Sequence, residues 1–71
     1  MNAEQRTQVT AVVQEIGIAR GKLEELRDEI QNDFEELSEK AQDGPRGEAM
    51  QEDIAKLEET VAGLEQAEDV L

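Results

Sequence analysis

Apolar residues recur along this 71-residue chain with the spacing of a helical heptad repeat, and this spacing constrains the fold more than any other feature. Steps of three and four residues keep one face of an α-helix apolar, and no segment alternates with the two-residue period of a strand. One register is unbroken over five heptads: Val9, Ile16, Leu23, Ile30, Leu37. A second series follows: Met50, Ile54, Leu57, Val61, Leu64, Glu68, Leu71. The pattern predicts an all-α fold with two long helices.

The two series are separated by the segment DGPRGE at residues 43–48, which holds the only proline of the chain. Gly44 suits the end of a helix, and Pro45 can open a helix but cannot continue one. We therefore predict helix 1 over about 3–41, a turn over 42–47 and helix 2 over about 47–70. Such a short turn favours an antiparallel, coiled-coil-like helical hairpin that forms a single domain over 1–71.

Gly17 and Gly21 leave the course of helix 1 open. Each glycine costs about 1 kcal/mol relative to alanine inside a helix, so a kink near 17–21 is an alternative to a continuous rod. Close approach of another helix and simple tolerance of two surface glycines are further interpretations.

The two arms of the predicted hairpin are unequal in length. Pairing outward from the turn places Leu23 opposite Glu68 and Arg27 beside Glu65, and lets Leu71 reach back only to about Arg20. About 19 residues of helix 1, roughly 28 Å, would then overhang helix 2. This N-terminal overhang exposes Ile18 and a further apolar group, which we predict to be the interface of a homo-oligomer, with a dimeric helical bundle favoured. The predicted interface residues are Val9, Val12, Val13, Ile16 and Ala19.

Charge is distributed unevenly along the chain. Nineteen acidic and seven basic residues give a net charge of −12; residues 1–22 carry +1 and residues 23–71 carry −13. Such a chain repels nucleic acid and anionic membranes, so we expect it to bind neither directly. The longest apolar run is three residues, so no transmembrane segment is predicted and a cytoplasmic location is expected.

Residues that carry out chemistry are scarce. The chain contains no histidine or cysteine, and its single serine, Ser38, has no partner base. Helical di-metal sites use histidine with glutamate, and no calcium-binding loop is present. We therefore predict no enzymatic activity, no cofactor and no metal site.

Acidic residues occupy the outer positions of both predicted helices and form what we call the acidic face. A rod that bears a line of carboxylates resembles a line of phosphates and could occupy a basic groove on a protein. The alternative interpretation is that these charges only keep the chain soluble and separate from other helices. The acidic face comprises Glu24, Glu25, Asp28, Glu29, Glu35, Glu36, Glu58 and Glu59.

The middle of the chain, over about residues 23–68, resembles small acidic helical proteins of unknown function that are encoded by tailed phages and prophages. Their pattern is Glu-x-x-x-x-Phe-x-Asn-Leu-Pro-Glu-x-Leu-Gln, then a Ser/Gly-rich turn and a Leu-Glu-Glu helix. The matching residues are Glu29, Phe34, Leu37, Glu39, Gln42, Gly47, Leu57, Glu58 and Glu59. This chain departs from the pattern at Glu36, where the family has asparagine, and at Ser38, where it has proline.

The family's proline implies a break in helix 1, so an end near 36–38 is an alternative to an end at 41. The resemblance brings no established activity. It implies a phage accessory protein in the host cytoplasm, a class in which small inhibitors of host or defence proteins occur. The sequence thus predicts a non-enzymatic protein-binding module, with a basic host protein as its expected partner. The alternative is a purely structural, self-assembling helical protein with a solubilising acidic surface.

Overall fold

A computed structural model describes all residues from 1 to 71, and every regular element in it is an α-helix. The elements are α1 (Ala3–Glu36), α2 (Glu39–Gln42) and α3 (Pro45–Val70). The chain is an elongated rod with extents of 58 × 14 × 13 Å. The predicted all-α fold, with a long first helix and a second long helix, is confirmed.

A capping box fixes the start of α1. The Asn2 side-chain oxygen accepts a hydrogen bond from the Gln5 amide at 2.8 Å, and the Gln5 side-chain oxygen accepts one from the Asn2 amide at 3.0 Å. Two of the amide groups that a helix N-terminus leaves unpaired are satisfied in this way. From there α1 continues through Gly17 and Gly21 without interruption.

The end of α1 lies at Glu36, so the predicted extension to residue 41 is wrong and the alternative end near 36–38 is the one that occurs. Leu37 leaves the helix with an extended backbone (φ −70°, ψ 148°). Ser38 then caps α2 by accepting a hydrogen bond from the Ala41 amide. The Gln42 side chain donates to the carbonyl oxygens of Phe34 and Leu37, at 3.1 and 3.2 Å. The Gln42 side chain thus gives the Leu37 carbonyl a partner and adds a second donor to the Phe34 carbonyl, which already accepts from the Leu37 amide.

The chain reverses over residues 37–44, and α3 begins at Pro45, two residues earlier than predicted. Proline suits this first helical position because its missing amide would have no partner there. Gly47 lies buried against the backbone of Gln42, so that a side chain at this position would overlap it. The lack of a side chain at Gly47 therefore allows α2 and α3 to approach closely.

The register of α3 against α1 differs from the predicted one. Glu68 lies beside Gly17 and Arg20 and not beside Leu23, while Leu71 shares a surface depression with Val9 and Val12. Because α1 ends before the predicted residue 41, the chain reverses nearer to its N-terminus than predicted. Each residue of α3 therefore lies opposite an α1 residue that is closer to the N-terminus than the predicted one. The overhang of α1 is consequently shorter than the predicted 19 residues, and α3 passes along part of it.

Burial in this arrangement is slight. Val61, at 5% exposure, is the only buried hydrophobic side chain, and Gly47 is the only other buried residue. The remaining residues of the apolar stripes are half-buried along the line where α1 and α3 meet, or exposed. The chain therefore has a contact seam between two helices and almost no enclosed core.

Candidate interaction surfaces

One charged cluster joins α1 to α3. The Arg20 guanidinium contacts Glu68 at 2.8 Å, Glu24 at 2.9 Å and Glu65 at 3.7 Å. Hydrogen bonds that the Arg20 guanidinium donates to Glu68 and then Glu24 raise the pKa of Arg20, because they stabilise its charged form. The cluster accounts for the acidic residue that interrupts the apolar series of α3: Glu68 forms an ion pair with Arg20. The predicted pairing of Arg27 with Glu65 does not occur, and Arg27 contacts Asp28 instead.

Gly17 provides space for this cluster. A methyl group on Gly17 would lie 2.7 Å from a carboxylate oxygen of Glu68. Gly21 has nothing within 4 Å of the equivalent position. At Gly17 the neighbour is the carboxylate end of an α3 side chain and no helix backbone approaches it, whereas Gly21 has open space and is a tolerated surface glycine.

The predicted interface residues fall into two groups. Val9, Val13 and Ile16 are half-buried, whereas Val12 (48% exposed) and Ala19 are exposed. The exposed pair lies at the edge of the α1 stripe and the half-buried group lies on its central line. The interface itself stays a prediction.

The acidic face is almost entirely open to solvent. Seven of its eight residues are exposed, and the exception, Glu24, is half-buried against Arg20. Ion pairs within the chain involve only two members, Glu24 and Asp28. The six members without an intramolecular cation are Glu25, Glu29, Glu35, Glu36, Glu58 and Glu59. No three acidic residues of the chain lie close enough together to hold a metal ion.

A further surface, which sequence reasoning missed, lies along one side of the helix pair. Leu26 and Leu57 line one open depression, and Val12 and Leu71 line another. Ala19 is seven residues from both Val12 and Leu26, and Leu64 is seven residues from both Leu57 and Leu71. Because a heptad step nearly repeats the direction of a helical side chain, Ala19 and Leu64 continue the same surface between the depressions. We call this surface the open apolar face: Val12, Ala19, Leu26, Leu57, Leu64, Leu71.

The signal for this face was present in the sequence as two seven-residue series, 12–19–26 and 57–64–71. Only the register of α3 against α1 reveals that the two series lie on the same side. Since the predicted register placed Leu71 near Arg20, the sequence could not bring Leu71 and Val12 together.

Comparisons with protein-family models, curated proteins and solved structures give no match for this chain. The resemblance to small phage proteins therefore stays a prediction. None of the helices has a stretch that is both long and apolar enough to cross a membrane.

Proposed function

We propose that the chain is a non-enzymatic protein-binding module, folded as an antiparallel helical hairpin, that presents its acidic face to a basic surface of another protein. The observation that carries this proposal is the set of six exposed carboxylates of the acidic face that form no ion pair within the chain. An excess of unpaired charge of one sign attracts an oppositely charged partner and speeds its association.

The resemblance to phage proteins supports a particular kind of partner. It favours a host or defence protein in the host cytoplasm, with the acidic rod acting as an inhibitor in a groove that normally accepts nucleic acid. The rod is 58 Å long and about 14 Å across, dimensions that suit an elongated basic groove. A groove lined with Lys and Arg would discriminate against most acidic globular proteins by shape and accept a narrow rod.

The proposal is tested with two variants, one that neutralises three acidic residues of the acidic face and one that neutralises three acidic residues elsewhere on the chain. The first variant carries Glu25→Gln, Glu29→Gln and Glu36→Gln, and the control carries Glu4→Gln, Glu15→Gln and Glu48→Gln. Both retain helix propensity, because glutamine and glutamate are similar helix formers, and both reduce the net negative charge equally, from −12 to −9. A partner is first captured from a bacterial lysate at low and high salt, and its association with each variant is then measured by surface plasmon resonance.

We expect the face variant to associate at least tenfold more slowly than the unmodified chain, and the control variant to be slowed much less. Salt should slow association of the unmodified chain more than that of the face variant, because fewer charges attract the partner in the variant. Equal effects of the two variants would show that net charge, and not this face, governs binding.

The second candidate function is that of a structural, self-assembling helical protein with a solubilising acidic surface. It is favoured by the exposure of large apolar side chains such as Val12 and Leu26, each 48% exposed, in a chain with one buried hydrophobic residue. A stable homo-oligomer that captures no salt-sensitive partner would support this candidate over the first.

A further inference from the structure

We propose that the open apolar face is covered by a second copy of this chain, so that two helix pairs form an antiparallel four-helix bundle. This proposal concerns a different surface from the acidic face and does not rest on the proposed function. It retains Val12 and Ala19 from the interface predicted from sequence, and moves the contact from the N-terminal overhang to the stretch where residues 12–26 of α1 lie beside residues 57–71 of α3.

The exposed area of the chain matches the size of such an interface. The chain exposes 5445 Å², whereas a compact monomer of 7.9 kDa exposes about 4,400 Å². The excess is about 1,000 Å², and a standard stable interface buries about 800 Å² on each partner. One identical partner along the open side would therefore bring the exposed area to that of an ordinary folded protein.

The composition of the face favours a second copy over a charged partner. Twenty-six of the 71 residues are charged, but only two charged side chains, Asp53 and Lys56, line the two depressions on this face. These two have opposite signs, so the side chains that line the two depressions carry no net charge. A near-neutral apolar surface on a highly acidic chain is suited to contact with an identical surface, because the like charges then lie on the outer sides of both copies.

The heptad spacing sets how the two copies would fit. The six residues form three layers, Val12 with Leu71, Ala19 with Leu64, and Leu26 with Leu57. A two-fold axis through the middle layer would place each Ala19–Leu64 layer against its equivalent, and each Leu26–Leu57 layer against a Val12–Leu71 layer. The small side chain of Ala19 at the centre permits close helix packing, and equal layer spacing lets all three layers interdigitate.

The decisive experiment compares Ala19→Lys with Ala62→Lys by sedimentation equilibrium at tens of micromolar and physiological salt. Ala19 lies at the centre of the face and Ala62 lies on α3 away from it; both are exposed, and both changes add one positive charge on a helix surface. We expect the unmodified chain and the Ala62→Lys variant to be dimers. Ala19→Lys should raise the dimer Kd more than tenfold, because a lysine would be buried at the two-fold axis next to its equivalent.

Circular dichroism on the same samples separates dissociation from misfolding. Any helix content that the Ala19→Lys variant loses should equal the loss seen when the unmodified chain is diluted until it dissociates. A loss beyond that, a monomeric unmodified chain, an assembly larger than a dimer, or equal Kd values for the two variants would each overturn the proposal. Added salt should tighten the dimer, because it screens repulsion between two chains of −12. This is opposite to the salt effect expected for a basic partner, so the two proposals fail separately.

Discussion

At the scale of single residues, the most constrained position is Gly47, where α3 passes the backbone of Gln42. A methyl group there would overlap main-chain atoms of Gln42, which cannot rotate away as a side chain could. We expect Gly47→Ala to destabilise the fold by about 1–3 kcal/mol, the usual cost of overpacking. The control is Gly63→Ala, since Gly63 has open space around it, and alanine should add up to about 1 kcal/mol of stability there. Urea unfolding monitored by circular dichroism at one chain concentration measures both; a more stable Gly47→Ala variant would contradict the close approach of α2 and α3.

The same scale shows what a sequence can and cannot reveal about an individual side chain. Glu68 is recognisable from sequence as an acid at an apolar position of the heptad series. Its partner was not recognisable, because Arg20 lies 48 residues away along the chain and their ion pair depends on the register between α1 and α3. The space that Gly17 leaves for the Glu68 carboxylate depends on the same register.

At the scale of the elements, the break between α1 and α2 makes Ser38 a position that can accept proline. Its φ is −62°, near the angle that proline fixes, and its amide donates no backbone hydrogen bond. The preceding residue, Leu37, has the extended backbone that proline requires of its neighbour. Loss of the Ser38 cap costs about 1 kcal/mol of stability. Proline also reduces the conformational entropy of the unfolded chain, which stabilises the folded state by a comparable amount. Ser38→Pro should therefore change the free energy of unfolding by less than about 1 kcal/mol.

The matched control for this substitution is Asn32→Pro, four residues before the end of α1. Proline there removes a hydrogen bond inside the helix and should cost about 3 kcal/mol or more. Thermal unfolding of the two variants at equal concentration measures the difference. A loss of stability in Ser38→Pro as large as that in Asn32→Pro would mean that α1 continues through residue 38.

At this scale, the sequence predicted the two long helices and the start of α1 but left the end of α1 open. The heptad series and the capping residues Asn2 and Gln5 are local signals, and they predicted the two long helices and the start of α1. The end of α1 was ambiguous, because residues 37–41 have acceptable helix propensity and continue the apolar series. The cap at Ser38 and the hydrogen bonds donated by Gln42 stabilise the end of α1 at Glu36, and both form only once the chain has turned. Because α1 ends at Glu36, the register of all of α3 against α1 is shifted. For this reason the open apolar face could not be predicted from the sequence.

At the scale of the whole molecule, the rod shape distinguishes two ways of forming a dimer. Contact along the open apolar face would leave the long dimension near the 58 Å of a single chain and double the cross-section. Contact through the N-terminal overhang alone, with an overlap of at most about 28 Å, would give a particle roughly 90 Å long or longer. Small-angle X-ray scattering of the unmodified chain measures this length directly, after sedimentation has established the mass. We expect a maximum dimension close to the shorter value, allowing for side chains and hydration, because only the side-by-side arrangement covers Leu26 and Leu57 together with Val12 and Leu71. A dimer with a maximum dimension near the longer value would show that the interface lies in the overhang and that the open apolar face stays exposed.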